Sequence, residues 1–184
     1  MTVTMPVQVS ENGYLHDDAV VACGEWSAYH MTLTREKIEA MWEMLHRHKT
    51  LFSDLTMWDK ANFLRVLLSP DSVWLEVRKH GCIVGIVWFG DLHQVVDCSG
   101  HMVFFDWQPA EKLGLCKAIV RWMFDSFPIN RITVTPPVIY RRTVRLLERI
   151  GLRREGCKRE AVLMDGKWND MFVYGITRRE AERL

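Results

Sequence analysis

Hydrophobic side chains recur along this chain with two different periods, and the change of period divides it. Ile38, Met41, Trp42 and Leu45 stand at i, i+3, i+4 and i+7, which predicts a helix over Arg35–Lys49 with Thr34 as its cap. Thr56 with Asp59 three residues on is an acidic capping signal. It opens a second helix through Phe63, Leu64, Leu67 and Leu68 that stops at Ser69-Pro70. After Pro70 the period shortens to two. Ser72–Arg78 roughly alternates, His80-Gly81 turns the chain into Cys82–Phe89, and His101–Trp107 reads as a third strand. Pro109 suits the first turn of a helix carrying Leu115, Ile119, Trp122 and Met123 on one face. Arg131–Thr135 is another strand, closed off by Pro136-Pro137. The helix after it turns Val144, Leu147 and Ile150 inward and ends at Gly151. Glu160–Met164 and Met171–Thr177 flank Asp165-Gly166, a strong hairpin signal.

The predicted order is αα-βββ-α-β-α-ββ, a mixed α/β (α+β) fold with one βαβ crossover. Residues 1–24 have no clear period and leave a further strand open at the front. No Ser/Gly linker or low-complexity stretch divides the chain, so one domain over residues 1–184 is expected. Trp26, Trp42, Trp58 and Trp74 fall sixteen residues apart, but their flanks share nothing and no repeat is read from them.

Composition narrows the class. At 184 residues, 48% hydrophobic and 26% charged, the chain is long enough to bury one substantial core. Its longest apolar run, Cys82–Gly90, is half the roughly 18 residues of a membrane span. No secretory signal is visible after Met1, so a cytoplasmic location is expected. The five cysteines (Cys23, Cys82, Cys98, Cys116, Cys157) form no C-x-x-C pair, which points to reduced thiols and away from zinc. The net charge of +1 hides an asymmetry: Arg141–Leu184 holds twelve Lys/Arg against seven Asp/Glu. That surplus fits a phosphate-bearing ligand near the C-terminal half better than a nucleic-acid groove, since no dense basic run with interleaved aromatics appears. No metal set is read from His46, His48, His93 and His101, and hydrolase and Walker-type loops are absent.

One run carries more information than composition. Leu146-Leu-Glu-Arg-Ile-Gly-Leu-Arg-Arg-Glu-Gly156, then Arg159, Asp165-Gly-Lys-Trp-Asn-Asp170 and Phe172-Val-Tyr174, resembles the C-terminal half of the GNAT superfamily of N-acetyltransferases. The likeness is closest to the ribosomal-protein N-terminal acetylase branch. Val84-Gly85-Ile86, His101–Asp106 and Asn130-Arg131-Ile132 follow in the family's order, and His101–Asp106 is also similar to some phage-encoded members. The resemblance covers about residues 72–180; residues 1–71 are a strand and helical part ahead of it.

The resemblance implies a central mixed, mostly antiparallel sheet flanked by helices, with two parallel strands that splay apart. Here those strands would be His101–Trp107 and Arg131–Thr135. It further implies acetyl-CoA as co-substrate wedged in the splay, its pyrophosphate on amides at a helix N-terminus. The acceptor amine would attack the thioester directly. In place of the family's Q/R-x-x-G-x-G/A loop this chain has Glu111-Lys-Leu-Gly-Leu-Cys116. Phe105, Trp107, Lys112, Leu113, Gly114, Leu115, Cys116, Lys117 and Thr143 are the implied cofactor contacts. Glu111 is unfavourable beside a pyrophosphate, and Lys112 and Lys117 would offset it. Tyr140-Arg-Arg-Thr143 stands where the branch has N-x-x-S, and Leu147 stands where some relatives have an acid tyrosine.

Amine acetylation needs a base for the ammonium proton and an acid for the leaving thiolate. Among Asp91, His93, Asp97, His101 and Asp106, we single out His101 and Asp106, with Tyr140 as acid or substrate contact. Asp170 and Tyr174 are read as structural. Two functions fit: an N-acetyltransferase acting on a protein N-terminus, a lysine or a small amine, or an inert protein using this fold for binding or assembly, such as a phage structural component. The acceptor and the oligomeric state stay open.

Overall fold

A computed structural model describes residues 19–47, 59–92, 96–105, 109–164 and 166–184, with backbone alone at 109–111. Strands β1 (Val21–Cys23) and β2 (Trp26–His30) precede helices α1 (Arg35–Arg47) and α2 (Lys60–Leu67). Then come β3 (Val73–Lys79), β4 (Cys82–Gly90), β5 (Asp97–Phe104), α3 (Pro109–Ser126), β6 (Arg131–Val134) and α4 (Arg141–Ile150). The chain closes with β7 (Arg153–Met164), β8 (Lys167–Thr177) and the short α5 (Arg178–Ala181). Among the described residues the strands form one sheet in the order β1-β2-β3-β4-β5-β6-β8-β7. Every neighbouring pair is antiparallel except β5 with β6. The expected fold class is the observed one.

Helices cover the sheet from both sides. Met41 and Leu45 of α1 and Phe63 and Leu67 of α2 pack on Trp74, Ile86 and Trp88. On the other side Leu115, Ile119 and Met123 of α3 and Leu146, Leu147 and Ile150 of α4 pack on Leu75, Val87, Phe89 and Ile132. Strand alternation therefore sorts β4 residue by residue, Ile86 and Trp88 to one core and Val87 and Phe89 to the other. Among the described residues no helix is long and apolar enough to cross a membrane.

Several boundaries differ from the sequence reading, each for a physical reason. The front of the chain holds a two-strand hairpin turning at Gly24 (φ +61°) rather than a single strand. Thr56 lies outside the described residues; α2 is capped by Asp59, whose carboxylate accepts from the Ala61 N–H. Strand β5 starts four residues before His101, because its polar opening is held by partners instead of burial. Asp97 accepts from Thr133 Oγ1 at 2.8 Å, and Ser99 donates to Asp91 at 3.0 Å. Strand β7 starts seven residues before Glu160. It is an edge strand, so Arg153–Arg159 needs no apolar face, and its charges and two bulges blunt the open edge.

Two carboxylates set an acid limit on stability. Arg131 clamps Glu155 with both guanidinium nitrogens, and that bond holds the Glu155 carboxyl below its usual range. Glu180 is lowered by the Thr177 backbone N–H and hydroxyl of a capping box on α5. A depressed folded pKa contributes stability that is fully present above the ordinary value of 4.5 and is lost as pH falls through the lowered one. Glu155→Gln and Glu180→Gln are therefore each expected to flatten the loss of stability below pH 4.5, measured by urea unfolding across that range. An unchanged acid limb would reject this.

Candidate functional site

The site begins where two strands part. Strands β5 and β6 pair in parallel over only three positions, Asp97↔Arg131, Cys98↔Ile132 and Ser99↔Thr133. The expected pairing of His101–Trp107 with Arg131–Thr135 is thus displaced: the pairs lie ahead of His101, and His101–Phe104 pairs with β4 alone. From Gly100 onward the two strands splay. An apolar cavity of about 30 Å³ lies there, lined by residues that include Gly100, Met102, Cys116, Ile119, Val134 and Leu147. That is room for one or two waters. Each parallel strand runs into a helix, so the N-terminal ends of α3 and α4 both follow the carboxyl ends of the splayed strands. In open α/β sheets this is the crevice where ligands bind, and two helix dipoles favour an anion there.

The residues expected to cradle phosphate are distributed otherwise than the motif implies. Helix α3 starts at Pro109, so Leu113, Gly114, Leu115, Cys116 and Lys117 lie past its first turn. A helix leaves only its first-turn amides without an intrahelical acceptor, so theirs are engaged along the helix. Leu115 and Cys116 are buried in the core, and Leu113 and Lys117 are half-buried. Gly114 faces β1, where an added Cβ would lie 2.8 Å from Cys23 Sγ. Lys112 is fully buried, its Nζ 4.9 Å from the Phe104 ring centre and 5.4 Å from that of Trp26. The family-like Gly85 serves the same neighbourhood, because a Cβ there would collide with the Phe104 ring at 2.5 Å. Phe105 stays at the surface, its N–H bonded to the Val84 carbonyl. Asp106 and Trp107 lie outside the described residues.

At the head of α4 stand Tyr140, its half-buried N-cap, and Thr143 in the first turn. Arg141, Arg142 and Arg145 are exposed there, with no acidic residue in the first turn. Arg141 and Arg142 in the first turn oppose the helix dipole, at about 0.3–1 kcal/mol each when exposed, and Arg145 adds a cation in the next turn. Among the described residues no carboxylate pairs with them.

His101 points to the opposite side of the sheet. It is half-buried and stacks on Trp88, ring centres 4.8 Å apart and planes 4° apart. Trp88 in turn stacks on Trp74 at 4.8 Å and 7°. His101 and Tyr140 thus stand on the strand face under α1 and α2 and at the head of α4, and Asp106 lies outside the described residues. The stack was missed from sequence, although cross-strand register foretells it once pairing is known: Trp74↔Trp88 and Trp88↔His101 are direct partners.

The residues that carried the family likeness are mostly structural. Glu155 and Arg131 staple β7 to β6 across Gly175, where any Cβ would strike the guanidinium. Asp170 accepts from the Glu160 N–H at 2.8 Å, fixing the bulge where Glu160 adopts φ +48°. Tyr174 is fully buried and donates to Glu148 at 2.8 Å; burial and that bond raise its phenol above the ordinary range. Burial also pushes the Cys116 and Cys98 thiols up to about 12, so neither is a thiolate nucleophile at neutral pH.

No family model matches the chain. A curated relative, "Putative ribosomal N-acetyltransferase YdaF" of Bacillus subtilis (strain 168), is 27% identical over 67 residues, spanning 36% of this chain and 37% of that protein. Among solved structures, an acetyltransferase of the GNAT family from Bacillus anthracis superposes with a TM-score of 0.62 at 20% identity, over 85% of this chain and 96% of that one. RimL, a ribosomal L7/L12 alpha-N-protein acetyltransferase in complex with coenzyme A, superposes with a TM-score of 0.69 at 11% identity, over 87% and 98%. With the parallel pair that splays after three residues, this likeness defines the architecture: the chain has the fold of the GNAT N-acetyltransferases.

Proposed function

We propose that this chain is an acetyl-CoA-dependent N-acetyltransferase whose acceptor is an amine on a protein N-terminus, a lysine or a small molecule. The observation that carries the reading is the splay between β5 and β6, apolar inside and flanked by two helix N-termini. Its residues fit the group they would hold. The apolar cavity suits an acyl thioester, and Arg141, Arg142 and Arg145 offer uncompensated charge for phosphates, with Thr143 beside them. Acetyl-CoA would supply an activated acetyl group, transferred as a carbon–nitrogen bond forms and the carbon–sulfur bond breaks. His101 takes the proton of the acceptor ammonium, and Tyr140 supplies one to the departing thiolate. Cys116, held protonated in the cavity wall, supports direct attack over a cysteinyl intermediate.

Calorimetry with acetyl-CoA on the purified protein tests the reading, followed by thiol release against a free N-terminal peptide, a lysine peptide and a polyamine. Saturable binding with turnover on one acceptor class supports it. No binding at millimolar acetyl-CoA would reject it in favour of an inert binding or assembly protein. The double variant Arg141→Gln/Arg142→Gln is expected to weaken acetyl-CoA binding by about tenfold or more. The loss should shrink as salt is raised, because exposed charges are screened. Equal affinity of variant and parent at low salt would remove these arginines from the site.

A further inference from the structure

We propose that Trp88, backed by Trp74, is a positioning residue that sets the plane of the His101 ring and favours its protonated form. The inference rests on the acetyl-transfer reading, in which His101 accepts the ammonium proton.

The geometry gives the reason. The last parallel pair, Ser99↔Thr133, lies two residues before His101, so at the fork β5 has lost its β6 neighbour. On its other side β5 stays paired to β4, with Trp88 directly opposite His101. A ring beside an opening needs a fixed surface to hold one orientation. Here that surface is an indole buried to 7% exposure, its plane nearly parallel to the imidazole stacked on it. Trp88 is itself braced by Trp74, which is 6% exposed and whose Nε1 donates to Ser72 Oγ at 3.1 Å. Ser72 Oγ donates on to the Ser69 carbonyl at 2.9 Å, anchoring the stack in the turn after α2. Met41, Leu45, Phe63 and Leu67 pack the surrounding core.

An aromatic face attracts a cation within about 6 Å of its centre, so the stack stabilises imidazolium over imidazole. Several described charged groups on this side of the sheet have partners of their own. Glu76 of β3 meets Lys37 of α1 at 2.5 Å and Arg78 of its own strand. Asp97 is held by Thr133 and Arg131 of β6, and Asp91 by Ser99. On the helices Lys60 pairs with Glu39, and His46 stacks on Trp42. In the transfer, R-NH₃⁺ passes one proton to the neutral imidazole. The resulting amine forms its bond to the acetyl carbon as the thiolate leaves; the nitrogen's second proton passes to solvent, and the thiolate takes a proton from Tyr140. Solvent then restores both groups, with one net proton released.

The test uses the whole chain and three variants: Trp88→Leu, Trp88→Phe and Trp74→Leu, each checked for fold by circular dichroism and for acetyl-CoA binding by calorimetry. His101 is titrated by NMR in the ligand-free protein, so this measurement does not depend on activity. In Trp88→Leu its midpoint is expected to fall by about 0.5–1 pH unit. The acid limb of the pH–rate profile should move with it, and kcat should drop about tenfold at unchanged KM for acetyl-CoA. Trp88→Phe should restore most of both, and Trp74→Leu should give a smaller shift of the same sign. In a His101→Ala background Trp88→Leu should cost nothing further. Unchanged His101 titration in a folded Trp88→Leu would overturn the inference, as would an equal rate loss with and without His101. If acetyl-CoA does not bind the parent at all, the transferase reading fails, while the NMR titration still decides whether the stack holds the proton.

Discussion

On the proposed acetyl-transfer reading, His101→Ala is expected to lower the rate by about 10²–10⁴-fold, the contribution of a positioned general base. Acetyl-CoA affinity should stay within a factor of about two, because a base acts in the transition state and adds little to ground-state binding. The structure supports that separation. His101 is among the residues lining the cavity on the α3/α4 side of the sheet, but its ring stacks on Trp88 on the α1/α2 side. A thiol-release assay with parallel calorimetry reads the two effects. A large loss of acetyl-CoA affinity would mean that His101 is a cofactor contact. Less than about fivefold loss of rate would leave Asp106 or a water as the base.

The second large effect is expected in stability. Arg178, the first residue of α5, sends its guanidinium to the end of α3 and donates to the carbonyls of Phe124, Phe127 and Ile129 at 2.5, 2.8 and 2.7 Å. A second bond to Ile129 comes from Nε at 3.1 Å, and the cation lies 5.5 Å from the Phe124 ring centre. Phe124 lies in the last turn of α3 and Phe127 and Ile129 just past it, where a helix leaves acceptors unpaired and its dipole is negative. Arg178→Ala removes a cation and leaves three part-buried acceptors seeking water, a loss of about 2–4 kcal/mol. For a chain of this length the melting temperature should fall by roughly 5–15 °C. Arg178→Lys keeps the charge but not the planar fork, so it should recover less than half of the loss. A melting temperature within about 2 °C of the parent would show that water replaces the guanidinium freely.

The elements with a strong internal period were legible before any contact was known. Helix α1 followed from Ile38, Met41, Trp42 and Leu45, and Gly151 does close α4, with φ +118°. The β7–β8 turn falls between Met164 and Lys167 as expected, with Gly166 at φ +72°. The polar or charged openings of β5 and β7 were not legible. Asp97-Cys-Ser-Gly and Arg153–Arg159 are strand because of what pairs with them, and alternation cannot report a strand that buries neither face.

The likeness of Glu155-Gly156 and Asp165–Asp170 to the GNAT pattern named the fold correctly through residues that hold the sheet together. Glu155 meets Arg131 and Asp170 caps a bulge, and such staples depend on local sequence spacing. The site obeyed different rules. A motif position alone does not say which way the side chains of Lys112–Cys116 face. Only packing shows Lys112 between Phe104 and Trp26, and Gly114 against Cys23. Likewise His101 could be placed on a strand from its neighbours, but not beside Trp88, forty-odd ångströms of extended chain earlier. Sequence sufficed for what neighbouring residues decide among themselves: period, caps and turns. The fork, the aromatic stack and the guanidinium on the end of α3 join segments remote in sequence, and their energy exists only once the sheet has brought those segments together.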